Sequence, residues 1–513
     1  MTATARRAVI RSDGELGDVA RGGLANLLGA VVSAAANFAL VLIVARWLSA
    51  SQAGVFFTAT SLFLLLETLS RLGADTGSVY FISRWKALGL SDRVRPGLRV
   101  ALVPAALLSS LFAVALFLFA PRAAELIGDS SGHSAGLLRS IAILLPCAVI
   151  YDIAVAATRG FRQMRTTVLV EKVGRPLAQL ALVTVVLAVD RPSALGYAWA
   201  LPYLAALILA GQALRSLLQS RGPEMPSPQA RRWNRVIATE FWAFSLPRAV
   251  AGVAQIALQR LDIILVASMR GPRDAAIYTA ATRFLVVGQF VNQAITAPVQ
   301  PPMSAALSTN AVDRARRLYR ISTTWLVLAS WPIFGLAATM APAYVGLFGR
   351  GYSGGAAAVV ILSLAMLIAS GAGLVDTVII MAGRTSWNLQ TTLLALVVNV
   401  GLDVALIPHF GLIGAAVGWL GSILAANLVP LLLAWRRLGM HPFGPNTYLA
   451  YLLSGTCWIA LPLGARAVFP DRPAALAMSV AVAATLFVVG AWRWRRMFGI
   501  GDLLHRRVRD TIA

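Results

Sequence analysis

Four arginines, Arg71, Arg248, Arg260 and Arg283, stand inside long apolar stretches of this sequence. The carboxylates Asp262, Asp376 and Asp403 and the amides Gln289 and Gln293 share that setting. Charge is costly to bury in an apolar medium, so residues kept there pair with one another, bind a polar ligand or carry an ion. Guanidinium groups grip phosphates and carboxylates through two parallel hydrogen bonds. A lone buried carboxylate can exchange a proton or hold sodium.

Spacing sorts these residues. Glu67, Arg71 and Asp75 follow at i, i+4 and i+8, one face of a helix on which neighbours neutralise one another. Glu171 and Arg175, beside Lys172, have the same i, i+4 relation and read as a second such pair. Arg248 follows Pro247, where a helix is expected to bend, and its nearest acid in sequence is Glu240, two turns earlier. Arg260 and Asp262 point to different faces. Arg283 sits above Gln289 and Gln293 on one apolar run, with pairing to Asp262 as its alternative role. Asp376 and Asp403 are isolated acids. Asn37 and Asn399 read as hydrogen-bonding glue between helices, and His409 as a solvated turn residue.

The elements that carry these residues are membrane spans. The 513-residue chain is 58% hydrophobic and 13% charged, about half the charged fraction of a soluble protein. Fourteen apolar runs of spanning length are expected at about 23–45, 54–78, 98–120, 137–158, 166–189, 195–214, 238–268, 274–302, 321–348, 355–382, 388–408, 411–434, 446–467 and 473–492. The first twenty residues are polar and do not read as a cleavable signal peptide. Cys147 and Cys457 both lie in apolar runs, with no disulfide framework or metal-ligand spacing. The net charge of +24 is nearly all arginine. Thirty basic residues fall on one set of connections and eight on the alternate set, which places both termini in the cytoplasm. The charge therefore faces anionic inner-leaflet lipids rather than nucleic acid. The tail "RWRRMFGIGDLLHRRVRD" reads as a basic amphipathic segment on that surface.

The sequence also repeats. "AGVFFTAT" at 53–60 aligns with "AAIYTAAT" at 275–282, and "LGYAWALP" at 195–202 with "IGAAVGWL" at 413–420, both offset by about 220 residues. Six spans separate equivalents, so the copies share one orientation. The expected fold is an all-α polytopic membrane protein with about 14 transmembrane helices, in two parallel six-helix lobes plus two extra C-terminal helices. The parts are a segment at 1–22, lobes at 23–217 and 237–435, a linker at 218–236, helices 13–14 at 446–492 and the tail at 493–513. In "NVGLDVALIPHFGLIGAAVGWL" (399–420) Pro408 is expected to end one span. Gly414 and Gly418 then give the next a small-residue packing face.

Three segments carry a resemblance. "FSLPRAVAGVAQIALQRLDIILVA" (244–267), Phe348, Gly349 and Tyr352 in "YVGLFGRGYSGG", and Asn399, Ile407, Pro408, Gly411, Gly414, Ala415 and Ala416 resemble polysaccharide flippases of the multidrug/oligosaccharidyl-lipid/polysaccharide exporter superfamily. "IVARWLSASQAGVF" fits the first hairpin, so the likeness covers spans one to twelve. The resemblance implies a non-enzymatic transporter of the bacterial cytoplasmic membrane. It would move a prenyl-diphosphate-linked oligosaccharide outward by alternating access through a polar cavity. Arg248, Arg283, Arg260, Arg71, Gln289 and Gln293 would then contact the headgroup, with Asp376, Asp403 and Asp262 coupling transport to protons or sodium. No other cofactor is implied, and polysaccharide polymerase machinery is a partner. Alternatives are a lipid II flippase, a cation-coupled drug exporter or, in a different class, a membrane polymerase or ligase. The longest outer connection, 121–136, offers a catalyst only Arg122, Glu125, Asp129 and His133.

Overall fold

In the computed structural model the described residues are 26–127 except 27, together with 133–219, 230–469 and 473–499. The segment 1–22, the central part of the 218–236 linker, Asp129 and the tail beyond 499 lie outside them. Among the described residues the regular structure is helical, with no strand. The chain divides into two compact units, 1–272 and 273–513.

The first unit comprises α1 (Leu28–Trp47), α2 (Ala50–Arg71), α3 (Ala74–Ala87), α4 (Val94–Leu118), α5 (Ala120–Leu126), α6 (His133–Ala142) and α7 (Leu145–Gly160). A π-helical stretch, Thr167–Gly174, leads into α8 (Arg175–Ala188), followed by α9 (Leu195–Gln219) and α10 (Ala230–Arg270). Ser49 starts α2 with a capping box: its hydroxyl accepts the Gln52 N–H at 3.3 Å, and Gln52 Oε1 accepts the Ser49 N–H at 3.2 Å. α2 ends abruptly, because Leu72 and Gly73 both take left-handed backbone angles, with φ of 52° and 73°. α10 packs on α2, α3 and α4, so the division of the chain falls one helix later than the repeat boundary.

The second unit begins with α11 (Pro272–Thr282), α12 (Leu285–Ser308), α13 (Val312–Thr339), α14 (Ala341–Gly346), α15 (Ala356–Ala372) and α16 (Val375–Met381). It closes with α17 (Thr385–Phe410), α18 (Leu412–Leu438), α19 (Pro445–Gly455), a π-helical turn, α20 (Leu461–Val468) and α21 (Pro473–Arg493). α13 is its hub, touching α12, α15 and α19.

Eleven helices among the described residues are long and apolar enough to cross a membrane, and the bent pair α6–α7 makes a twelfth. The count of about fourteen is thus not reached by length and composition. The two expected spans that fall short are those at 166–189 and 274–302. Both are helical, but the first carries Glu171, Lys172 and Arg175, and the second Gln289, Asn292, Gln293 and three prolines. Their polar content is what removes them from an apolarity test.

The hairpin of α17 and α18 corrects another expectation. Pro408 lies inside the last turn of α17, which runs on to Phe410, and the chain reverses at Gly411 with φ 55°. Pro408 gives up the hydrogen bond to the carbonyl four residues earlier, yet the helix continues for two residues beyond it. Gly418 is packed so closely that a Cβ would strike the Asp403 carboxylate. Gly418→Ala is therefore expected to cost about 1–3 kcal/mol by overpacking and to lower the melting temperature of the purified protein. Gly401→Ala, where nothing lies within 4 Å, leaves it unchanged.

The α18–α19 connector is held from α13. Arg316 donates to the Gly439 carbonyl through Nε at 3.2 Å and Nη2 at 3.0 Å, capping the α18 C-terminus. Arg320 Nη2 lies 3.3 Å from His441 Nε2. Burial, then Arg320 and Arg316, hold the His441 imidazole below its ordinary value. Its folded pKa is thus lower than its unfolded one, and its stabilising contribution fades as pH falls through the ordinary histidine range. Melting temperature should fall more between pH 7.5 and 5.5 in wild type than in His441→Gln.

Candidate functional site

The break between α2 and α3 builds the site. It ends α2 at Arg71 and turns the chain so that the N-terminus of α3 opens beside it. The turn is possible because two glycines allow α10 to approach. A Cβ at Gly73 would meet the Ser245 carbonyl, and one at Gly77 would meet the Ser245 hydroxyl and the Phe241 ring. One turn along α10 from that contact stands Arg248, its guanidinium 5.0 Å above the Phe244 ring. The result is a cavity of about 270 Å³ whose lining includes Arg71, Arg248, Gly73, Asp75, Gln255 and Gln259. Two guanidinium groups, amides and a helix N-terminus converge there, a combination that suits an anion.

Arg71 also borders a second cavity, of about 180 Å³, lined by Leu64, Glu67, Arg71, Asp152, Arg159, Glu171, Arg175 and Tyr203. Arg71 Nη1 lies 3.1 Å from Asp152 Oδ2 and 3.5 Å from Asp75 Oδ2, and Arg71 Nη2 donates to Thr68 Oγ1 at 2.8 Å. Across the pocket Arg175 Nη1 donates to the Tyr203 hydroxyl at 3.0 Å and to Gln179 Oε1 at 3.3 Å. Gln179 in turn donates to the Trp199 carbonyl at 2.8 Å. Glu67 is 5% exposed and lines this cavity with Asp152.

The expected self-neutralising ladders are only partly present. The closer partner of Arg71 is Asp152 on α7, since the chain break turns Asp75 away from a regular i+4 position. Glu171 meets Lys172 at 3.5 Å and Arg159 at 3.9 Å, not Arg175. Glu171 and Arg175 border one cavity, but Glu171 lies nearer Lys172 and Arg159, and Arg175 is taken up by Tyr203 and Gln179. Asp152, Tyr203, Arg159 and Gln179 were not singled out from sequence. Asp152 had a signal: it is an acid in the middle of an apolar run.

The remaining candidates occupy other places. Arg260 is partly buried, close enough to feel the Tyr203 phenol, and Asp262 is buried. In the second unit, Arg283 Nε donates to the Thr279 carbonyl at 3.0 Å and Nη2 to Thr282 at 3.3 Å. Gln289 and Gln293 are exposed along α12. Asp376 lines a cavity of about 160 Å³ that mixes Asn292, Thr296, Ser330 and Asn427 with apolar Leu326, Phe334 and Met366. Asp403 is fully buried, accepting from Asn399 Nδ2 on its own helix at 3.2 Å. Asn399 thus bonds within its helix and not across to another. No group of three or more acidic, histidine or cysteine residues arranged for a metal occurs among the described residues.

A family model described as polysaccharide biosynthesis protein matches residues 19–307, more than half of the chain. The chain belongs to the polysaccharide biosynthesis protein family. No curated protein matches the sequence of this family member. Its fold is shared with solved structures at low identity. The lipid II flippase MurJ in an inward closed conformation matches with TM-score 0.70 and 10% identity, over 93% of this chain and 99% of that one. An inward-facing multidrug resistance MATE family transporter of the MOP superfamily matches with TM-score 0.64 and 15% identity, over 80% and 95%. A mutant form of the Vibrio cholerae MATE transporter VcmN matches with TM-score 0.58 and 13% identity, over 83% and 97%.

The Arg175–Tyr203 contact gives a direct test of the network in this polysaccharide biosynthesis protein. Tyr203→Phe leaves a buried guanidinium one acceptor short and should destabilise the protein by about 1–3 kcal/mol, read as a lower melting temperature.

Proposed function

We propose that this protein is a flippase that carries a prenyl-diphosphate-linked oligosaccharide across the bacterial cytoplasmic membrane for envelope polysaccharide synthesis. The observation that carries the reading is the 270 Å³ cavity on which Arg71 and Arg248 converge beside the α3 N-terminus. A diphosphate offers oxygens at the spacing a guanidinium pair grips, and Gln255 and Gln259 supply amides for sugar hydroxyls. The family name and the fold shared with a lipid II flippase support this choice of substrate class.

Arg283, Gln289 and Gln293 extend the same role along α11 and α12. Exposed glutamines are expensive in hydrocarbon, so a polar headgroup is their proposed partner. Arg260 on α10 is a further proposed headgroup contact. Asp403, Asp262 and Asp376, the last in a cavity that includes Asn292, Asn427 and Ser330, are the proposed coupling sites for protons or sodium. The biased arginine placement sets both termini in the cytoplasm against anionic lipids, where polymerase machinery would receive the product on the opposite face. The chain is a transporter and not an enzyme in this reading.

Arg248 has a ring and solvent beside it in place of a close carboxylate, which makes it the cleaner variant. Arg248→Ala should remove surface polysaccharide while leaving protein level and melting temperature near wild type, with Arg248→Lys restoring only part of it. Undiminished surface polysaccharide in Arg248→Ala would exclude the cavity from transport.

A further inference from the structure

α15 does not run on into α16. The chain breaks at Gly373, whose φ of 73° and ψ of −155° are open to glycine and strained for other residues. A Cβ there would strike Thr323 of α13, so the break is pressed against that helix. The last carbonyls of a helix have no partner within it, and here two phenols from other helices serve as donors. Tyr319 of α13 donates to the Ala372 carbonyl at 2.7 Å, and Tyr451 of α19 donates to the Gly371 carbonyl at 2.6 Å. The Tyr451 ring is stacked on Trp331, with centroids 5.4 Å apart and planes at 22°.

Asp376 stands three residues past the break, in the first turn of α16. It borders the 160 Å³ cavity with Ser370 ahead of the break, Asn292 and Thr296 of α12, Ser330 of α13 and Asn427 of α18. We propose that Tyr319 and Tyr451 are positioning residues for the Asp376 site, and that through Tyr451 helix α19 sets how tightly that site holds its coupling ion. This step rests on the coupling role given to Asp376 above.

The break separates the two halves of the site: Ser370 belongs to α15 and Asp376 to α16. Their spacing follows from the backbone between them, which two hydroxyls and one glycine hold. A site for a small ion works only while its donors keep their places to about 0.5 Å. Without the Tyr451 hydroxyl the Gly371 carbonyl loses its donor, and the end of α15 is no longer held to one position. The binding geometry is then present in a smaller fraction of molecules, and the apparent affinity for the ion falls by that fraction. Among the described residues no other charged side chain lines the cavity. Tyr319 is the titratable neighbour from α13. On α17, Arg384 lies over Trp387 and Asp403 accepts from Asn399. α12, α15 and α19 carry no charged residue, and α18 carries Arg436 and Arg437 in its last turn.

The test measures how fast polysaccharide appears on the surface of cells that make the full-length protein. The rate is followed against external sodium at fixed pH, and against external pH at fixed sodium. Wild type is expected to depend on one of the two ions, and Asp376→Asn to lose that dependence. Tyr451→Phe keeps the ring and should need at least threefold more of the same ion for half-maximal export, at unchanged maximal rate and protein level. Added to Asp376→Asn it should change nothing further. Tyr319→Phe, which frees the adjoining carbonyl, should shift the half-maximal point in the same direction and carries the test if Tyr451→Phe does not fold. Tyr448→Phe, an exposed ring on α19, keeps the wild-type value. A wild-type half-maximal point in Tyr451→Phe, or a change confined to the maximal rate, overturns the positioning role alone, whatever the melting temperature. A wild type that follows neither ion, or an Asp376→Asn protein that follows it as wild type does, overturns the coupling role of Asp376 and the positioning role with it.

Discussion

A guanidinium cannot be left alone in hydrocarbon, and the first unit is organised around that fact. Arg71 needs acceptors on several sides at once. It obtains Thr68 from its own helix, Asp75 from across a chain break and Asp152 from α7. No straight helix could present these together. The break at Leu72 and Gly73 costs helical hydrogen bonds and places a leucine in the left-handed region, which ordinarily disfavours side chains by about 1–2 kcal/mol. The close seat of α3 on α10, allowed by Gly73 and Gly77, offsets that cost with packing. The same break leaves an α-helical N-terminus and Arg248 facing one cavity, so the pairing of Arg71 and the shape of that cavity come from a single bend.

The helices least suited to a membrane are the ones that carry polar chemistry. The 166–189 segment brings Glu171, Lys172 and Arg175 to the first unit's network, and α12 brings a stripe of amides and three prolines to the second. A purely aliphatic bundle of this size would be simpler to insert and would have no passage for a polar headgroup. In the first unit's network the charges are matched by specific partners: Tyr203 and Gln179 for Arg175, Arg159 for Glu171. Such matched networks hold their geometry firmly, because every member loses a partner if one moves.

The second unit is built on small residues instead. α17 and α18 meet through Gly414 and Gly418, and the latter leaves room for Asp403 to be buried against backbone. Arg316 and Arg320 then fasten the connector that leads to α19. Close backbone approach in one unit and charge pairing in the other are two solutions to the weak apolar drive for helices to associate in lipid.

Much of this architecture was legible in the sequence. Apolar length, arginine placement and the internal repeat are properties of composition and register, so they disclosed the all-helical membrane class, the position of the long helices and the family resemblance at Phe348–Tyr352 and Asn399–Ala416. Arg71 and Arg248 were legible as isolated charges for the same reason. Their meeting was not. It depends on two left-handed residues and two glycine contacts, which set the turn between α2 and α3 against α10. Spacing along one helix paired Glu171 with Arg175, whereas their closer partners include residues on other elements, Arg159 and Tyr203. Where the backbone departs from regularity, only the packed structure decides which charges become neighbours, and there it brought Asp152 to Arg71.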